Sequence, residues 1–214
     1  NDFLGAIGNS LLISVATTSL AVMVGVFTAY ALARLNFPGK GVVTGIILAA
    51  SMFPGIALVT PLFQLFGDLG WIGTYRAMII PNISFALPLT IYTLVSFFRQ
   101  LPWELEEAAR VDGASRGQAF RLVLLPLAAP ALFTTAILAF IATWNEFMLA
   151  RQLSTTATEP VTVAIARFSG PSAFEYPYAS IMAAGALVTV PLIIMVLIFQ
   201  RRIVSGLTAG GVKA

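Results

Sequence analysis

The chain contains neither cysteine nor histidine, and charged residues make up only 10% of its 214 residues. Without cysteine, the protein forms no disulfide bond and uses no thiolate chemistry. Without histidine, it lacks the commonest general base and metal ligand. Soluble domains carry about 25% charged residues. The low charge therefore indicates a protein that is not folded in water alone.

In place of charge, the chain has long uncharged apolar runs at 3–33, 41–67, 77–98, 122–145 and 176–200. Each exceeds the roughly 20 residues that a helix needs to cross the hydrocarbon core of a bilayer. Five such runs predict an all-α, polytopic membrane helical bundle that forms a single transmembrane domain over 1–214. The expected spans are about 9–32, 41–65, 78–98, 127–149 and 178–200, with a kink near Pro54 in the second.

One stretch between these runs, 99–126, holds eight charged residues out of 12 basic and 9 acidic residues in the whole chain. A charge at the centre of a bilayer costs roughly 2.5–3.5 kcal/mol, so this stretch is expected to stay in water. Pro102 suits the first turn of a helix, and Gly113 is a natural helix stop. Ser115 with Gln118 forms a capping box that begins a second helix. The stretch is predicted to be a helix–turn–helix loop.

Lysine and arginine are unevenly divided between the segments that join the spans. If the 99–126 loop is cytoplasmic, nine basic residues lie on the cytoplasmic side and three lie opposite. The nine are Arg34, Lys40, Arg99, Arg110, Arg116, Arg121, Arg201, Arg202 and Lys213. The positive-inside rule then places the loop and a tail at 201–214 in the cytoplasm, and a loop at 150–177 outside. Because the chain begins without methionine, we expect a trimmed start.

The sequence offers no candidate catalytic group. The pair Gly39 and Lys40 lacks both the upstream glycine and the following Ser or Thr of a phosphate-binding loop. The glutamates of the 99–126 loop are explained by a solvated helix start. The net charge of +3 could suggest nucleic acid, but the basic residues form no stripe. We expect no catalytic residue, no metal site, no cofactor and no nucleic-acid partner in this chain.

The motifs of the 99–126 loop resemble a known family. The triplet Glu-Ala-Ala at 107–109, Gly113 and the segment 123–126 are similar to the EAA loop of ABC-importer membrane subunits. The wider text at 104–115 resembles the binding-protein-dependent carbohydrate permeases, the branch that includes the maltose permease. Val123 stands where isoleucine is usual, which is a mild departure. The family usually has a further helix before the first of these spans.

The resemblance implies that the first loop helix, 104–111, is a coupling helix seated in a cleft of an ATP-hydrolysing subunit. That partner would bind ATP and magnesium. The implied coupling residues are Glu104, Glu106, Glu107, Ala108, Ala109, Arg110, Asp112, Gly113 and Arg116. The Glu-Ala-Ala triplet and Gly113 are expected at the core of the contact. Glu106, Asp112 and Arg116 are expected at its edge.

The resemblance also implies an assembly in a bacterial or archaeal cytoplasmic membrane. Its other members would be a homologous second permease subunit, two ATP-hydrolysing subunits, and an extracytoplasmic solute-binding protein that meets the 150–177 loop. The C-terminal tail resembles that of carbohydrate permeases, so contact with the ATPase is expected at Thr208, Gly210, Gly211 and Lys213. The alternative is a frayed terminus, because the paired glycines are flexible.

For the solute, the spans carry neutral polar side chains and no central charge, which favours a neutral, hydroxyl-rich molecule. The candidate pathway residues are Asn82, Tyr92, Asn145 and Glu146, although most such residues make helix–helix contacts. The expected function is a permease subunit of an ATP-driven sugar importer working by alternating access, with a maltose- or trehalose-like disaccharide as solute. The alternatives are the same subunit type for glycerol phosphate or a polyol, and an ATPase-independent secondary transporter or channel.

Overall fold

The apolar runs and the 99–126 loop all fold as helices in the computed structural model, which describes residues 2–168 and 177–208. Those residues contain no strand, and the predicted all-α class is confirmed there. The helices are α1 (Phe3–Arg34), α2 (Lys40–Met52), α3 (Val59–Asp68), α4 (Tyr75–Gln100), α5 (Glu104–Val111), α6 (Arg116–Ala119), α7 (Leu125–Leu127), α8 (Ala129–Trp144), α9 (Met148–Leu153), α10 (Val161–Ala166) and α11 (Tyr178–Thr208). A 3₁₀ turn, Gly55–Leu58, precedes α3, and a wider π turn, Phe120–Leu124, joins α6 to α7.

Three of the described helices are long and apolar enough to cross a membrane: α1, α4 and the Tyr178–Phe199 part of α11. Two bent pairs, Lys40–Met52 with Gly55–Asp68 and Arg116–Leu127 with Ala129–Trp144, raise that number to five if each pair is one span. The predicted multi-pass bundle is therefore found. The count of five spans remains a prediction.

The second predicted span, 41–65, is broken and not merely kinked. The chain bends by 89° between α2 and the helical segment Gly55–Asp68. Phe53 is extended (φ −76°, ψ 128°), and Pro54 after it is extended as well. A residue before proline is disfavoured in the helical region, so α2 ends at Met52.

The fourth predicted span, 127–149, is also divided, and it ends earlier than expected. A 70° bend separates Arg116–Leu127 from α8. Pro130 lies in the first turn of α8. If the preceding helix continued unbroken, the Pro130 ring would collide with a carbonyl of the turn before it, so the bend removes that clash. At its other end α8 stops at Trp144 after 16 residues. That is fewer than the roughly 20 residues of a full crossing.

The core is built around α1, which packs against α4 and α8. One face of α1 consists of small buried residues at helical spacing: Ala6, Ser10, Ser14, Thr17, Ala21, Gly25 and Ala29. In lipid, helices associate through van der Waals packing of such small residues because backbones can then approach closely. At Gly25 the approach is so close that an added Cβ would lie 2.5 Å from Thr90 Cγ2 on α4.

The stretch predicted as an external loop, 150–177, is folded into the body where it is described. It contains the end of α9 and all of α10, and Leu153, Val161 and Val163 are fully buried. The Val161 N–H donates to Ser10 Oγ on α1 at 2.8 Å. Residues 169–176 lie outside the described ranges. The apolar spacing within 150–168 is a signal for this packing that the expectation of an external loop at 150–177 did not include.

We predict that Gly25→Ala lowers the free energy of unfolding by about 1–3 kcal/mol, because the new methyl group collides with Thr90. Adding Thr90→Ser should restore most of the loss, since it removes Cγ2, and the next nearest atom, Thr90 Cβ, lies 3.5 Å away. Thermal unfolding of the protein purified in detergent, followed by circular dichroism, measures both effects.

Gly8→Ala on the same helix is the control, because no atom lies within 4 Å of the added Cβ. Equal stability of the Gly25→Ala and Gly8→Ala variants would contradict the close α1–α4 approach.

Candidate functional site

The 99–126 loop begins with α5, which has the bounds expected from the sequence, Glu104–Val111. The backbone N–H groups of Glu106 and Glu107 donate to the Trp103 carbonyl at 3.0 and 3.2 Å and close the first turn. Three glutamates lie in that turn, and Arg110 lies in the last. Acidic residues are favoured at the positive end of a helix dipole and basic residues at the negative end. The charges of the loop therefore stabilise the helix that presents them.

Gly113 ends α5 in a left-handed conformation with φ +92°. The Gly113 N–H donates to the Arg110 carbonyl at 3.1 Å, and the Ala114 N–H donates to the Ala109 carbonyl at 3.0 Å. This pair of bonds is a Schellman motif, which satisfies helix-end carbonyls and favours glycine at the left-handed position. The helix stop expected at Gly113 is found, together with its backbone reason.

The predicted capping box starts the second half of the loop. The Gln118 N–H donates to Ser115 Oγ at 3.3 Å, and the Ser115 N–H donates to Gln118 Oε1 at 2.8 Å. The short helix α6 then widens into the π turn Phe120–Leu124. A π turn shifts the side chains after it around the helix axis.

The π turn anchors the loop in the membrane-spanning body. Phe120 and Leu124 are buried in a cluster that includes Leu94 and Phe98 of α4. The Phe120 ring lies 6.3 Å from that of Phe98 and 4.6 Å from that of Tyr30 on α1. The second half of the loop is therefore packed against two spanning helices, which makes the loop stiff.

The C-terminal end of α1 contacts the first half of the loop through polar groups. Tyr30 Oη donates to Glu106 Oε1 at 3.1 Å. Arg34 Nη2 donates to the Leu101 carbonyl at 2.6 Å, and its guanidinium lies 4.4 Å from the centroid of the Trp103 ring. Neither the contact of Tyr30 with Glu106 nor that of Arg34 with Leu101 and Trp103 was expected from the sequence. Arg34 was expected only as a positive-inside charge, and no local pattern joins Tyr30 to a residue 76 positions away.

Most of the predicted coupling residues lie on the open surface of the loop. The exposed ones are Glu104, Glu107, Ala108, Arg110, Asp112, Gly113 and Arg116, and Ala109 is half-buried. Glu106 departs from this pattern, because it is only 7% exposed and points towards Tyr30. In the single chain Glu106 therefore faces α1 and not the open surface of the loop, and its part in docking stays a prediction. Its neighbour in the triplet, Glu107, is the exposed glutamate.

A cavity of about 290 Å³ lies between α5 and the end of α1. It is lined by Arg34, Leu35, Asn36, Trp103, Glu106, Glu107, Arg110 and Arg116. Three of these side chains are cationic and two are anionic, so the charges around the cavity nearly balance. On this side α5 does not pack flush against α1.

The four predicted pathway residues do not come together as one group. Asn82 and Glu146 line a shared cavity of only about 10 Å³, which holds about one water molecule. The Glu146 carboxylate accepts the N–H groups of Leu149 and Ala150 at 2.8 and 3.0 Å, so it caps α9. Asn145 is exposed beside it, and Tyr92, which is 63% exposed, lines a separate groove with α2.

The predicted tail contact falls mostly beyond the described part of the chain. Thr208 is the last residue of α11. Gly210, Gly211 and Lys213 lie outside the described residues.

Comparison with known proteins gives consistent matches along nearly the whole chain. A family model described as "Binding-protein-dependent transport system inner membrane component" matches residues 21–208. A trehalose transport system permease protein, SugB of Mycobacterium tuberculosis, is 54% identical over 212 residues, which are 99% of this chain and 77% of that protein. A trehalose/maltose transport system permease protein, MalG of Thermococcus litoralis, is 45% identical over 206 residues, which are 96% of this chain and 74% of that protein.

Two solved structures share the fold. A chain of a bacterial ABC transporter involved in the import of the acidic polysaccharide alginate superimposes with a TM-score of 0.76 at 25% identity, covering 93% of this chain and 74% of that one. A chain of the MetNI methionine ABC transporter in an inward-facing conformation also gives a TM-score of 0.76, at 18% identity, covering 95% of both chains. The second likeness concerns the fold alone.

We predict that Gly113→Ala destabilises the loop by about 1–2 kcal/mol, because a residue with a Cβ is strained at the left-handed position. Gly117→Ala is the matched control in the same loop, since its φ is not in the left-handed region and no atom lies within 4 Å of the added Cβ. Hydrogen exchange of the 104–118 amides, read by mass spectrometry, should speed up in the first variant and not in the second. Equal exchange in both variants would contradict a helix stop that depends on Gly113.

Proposed function

This chain belongs to the family of binding-protein-dependent transport system inner membrane components, and from that premise we propose that it is a permease subunit that imports a trehalose- or maltose-like disaccharide with energy from ATP. The observation that carries the solute class is the similarity to two permeases named for trehalose, one of which is 54% identical over 99% of the chain. Membership in a binding-protein-dependent family sets aside the alternative of an ATPase-independent carrier.

In this proposal α5 is the coupling helix, and its outer surface docks on an ATP-hydrolysing partner. The small side chain of Ala108 and the backbone of Gly113 are exposed there, flanked by charged groups such as Glu107. Small residues let a partner backbone approach closely, while charged residues around them set orientation and register. The Schellman motif and the capping box hold the two halves of the loop, and the buried π turn attaches it to α1 and α4. A displacement of α5 would therefore move these helices instead of deforming the loop.

The pathway is proposed to lie between this chain and a homologous second permease subunit. The cavity at Asn82 and Glu146 has room for about one water molecule, far less than a disaccharide needs. The apolar side chains of α11 are largely exposed in the single chain, including Met182, Leu187 and Leu197. Lipid and the second permease would cover them.

The remaining partners follow from the family. We propose two ATP-hydrolysing subunits, which bind ATP and magnesium, and an extracytoplasmic solute-binding protein. The excess of lysine and arginine on the 99–126 loop and at 201–214 favours a cytoplasmic position for both. Catalysis of ATP hydrolysis is assigned to the partner, and this chain supplies the membrane passage.

We predict that Ala108→Trp abolishes both co-purification of the ATPase and ATP-dependent uptake of radiolabelled trehalose by proteoliposomes containing the full complex. The indole would fill the exposed surface that the partner must approach. Membrane insertion should be unchanged, since Ala108 lies at an exposed position outside the candidate spanning helices.

The control is Gln100→Trp, which places the same bulk at an exposed position at the end of α4, before α5 begins. It should retain the ATPase and most of the uptake. A wild-type complex that contains no ATPase, or an Ala108→Trp complex that contains it in full amount and transports normally, would refute the proposed function. Uptake of glycerol phosphate but not of trehalose would refute the solute class alone.

A further inference from the structure

We propose that Tyr30 and Arg34, at the end of α1, are positioning residues for the coupling helix and carry its displacement directly into α1. The inference rests on the proposed function, because it assigns a second mechanical connection to the same loop. In the covalent chain α5 is joined only to α4 before it and to α6 after it. The contacts to α1 add a third attachment that the chain order does not contain.

Helix α5 has little apolar packing on the side that faces α1. It packs mainly against the second half of its own loop, α6 and the π turn. Towards α1 it faces the cavity of about 290 Å³. Individual polar contacts, and not a close-packed interface, therefore determine where α5 lies relative to α1.

Tyr30 touches both halves of the loop at once. Its ring lies 4.6 Å from the ring of Phe120 in the π turn, and its hydroxyl donates to Glu106 of α5. Hydrogen bonds to an ionised carboxylate are stronger than those between neutral groups. Glu106 is 7% exposed, so water competes little for this bond.

Arg34 is 5% exposed and contacts the junction between α4 and α5. Its Nη2 group donates to the carbonyl of Leu101, the residue directly after α4, and its guanidinium lies over the ring of Trp103, the residue before α5. A planar guanidinium can donate and stack at the same time, which a lysine ammonium cannot do. Arg34 therefore holds the joint about which α5 would turn.

Arg34 and Glu106 also have hydrogen-bonding atoms that are not used. Among the described residues, Arg34 Nε, Arg34 Nη1 and Glu106 Oε2 are buried and have no hydrogen-bond partner, although each side chain makes a bond through another atom. A buried polar atom without a partner is costly. Both side chains line the cavity of about 290 Å³, so a change in the position of α5 that gives these atoms partners is favoured.

The test is Tyr30→Phe in the full complex, which keeps the ring against Phe120 and removes only the hydroxyl. The number of trehalose molecules moved per ATP hydrolysed in proteoliposomes should fall about tenfold or more, as expected for the loss of one hydrogen bond to a charged group. The amount of ATPase that co-purifies should stay unchanged, because the outer surface of α5 is intact.

Tyr75→Phe is the matched control. It removes the bond from Tyr75 Oη to Asn9 Oδ1, 2.7 Å long, which joins α4 to α1 near the opposite end of α1 and does not involve α5. This variant should keep the wild-type ratio of transport to hydrolysis. Glu106→Gln, which retains an acceptor for Tyr30, should be milder than Glu106→Ala.

A double-mutant cycle identifies the bond itself. If the two side chains act through it, Tyr30→Phe combined with Glu106→Ala should lower the ratio no further than Glu106→Ala alone. Wild-type ratios in both single variants, or an equal fall in Tyr75→Phe, would overturn this inference and leave the proposed function standing. A wild-type complex without an ATPase or without trehalose uptake would overturn both.

Discussion

The close packing of α1 against α4 is the contact on which the rest of the structure depends. In lipid the hydrophobic effect does not bring two apolar helices together, so their association depends on close van der Waals packing of complementary surfaces. The small residues of α1 supply that shape, and at Gly25 the two helices approach so closely that no side chain fits between them. With α1 and α4 held together, their ends form the surface in which Phe120 and Leu124 of the loop are buried.

In the proposed function, this rigid attachment lets the loop transmit a movement of α5 to the membrane helices. Its first half is a short charged helix held by a Schellman motif and a dipole-matched charge pattern, and its second half is embedded in the body. A displacement applied to α5 therefore reaches α4 through the chain, α8 through the bent segment after the π turn, and α1 through Tyr30 and Arg34. The fold is shared with chains of two solved ABC transporters.

Local features of the loop could be predicted from the sequence because their causes lie within a few residues. The bounds of α5, the stop at Gly113 and the capping box at Ser115 all follow from propensity and hydrogen bonding between near neighbours. The burial of Glu106 could not be predicted, since its partner Tyr30 lies 76 residues earlier. Composition also located the apolar runs, but it did not show where the helix axis bends within a run. Pro54 was expected to kink a span, but with the extended residue before it the chain turns by 89°.

The proposed function requires that the outer surface of α5 lies on the cytoplasmic side and is covered by an ATPase. Val111, at the end of α5, is 87% exposed, and the chain has no cysteine of its own. Val111→Cys therefore introduces a single thiol into this chain. Its reaction with a membrane-impermeant maleimide reports on which side of the membrane α5 lies and whether the ATPase covers it. We expect no labelling in intact cells. We expect labelling in inside-out vesicles stripped of the ATPase, and slower labelling when the ATPase is restored. Labelling from outside intact cells, or a rate unaffected by the ATPase, would contradict the proposed function.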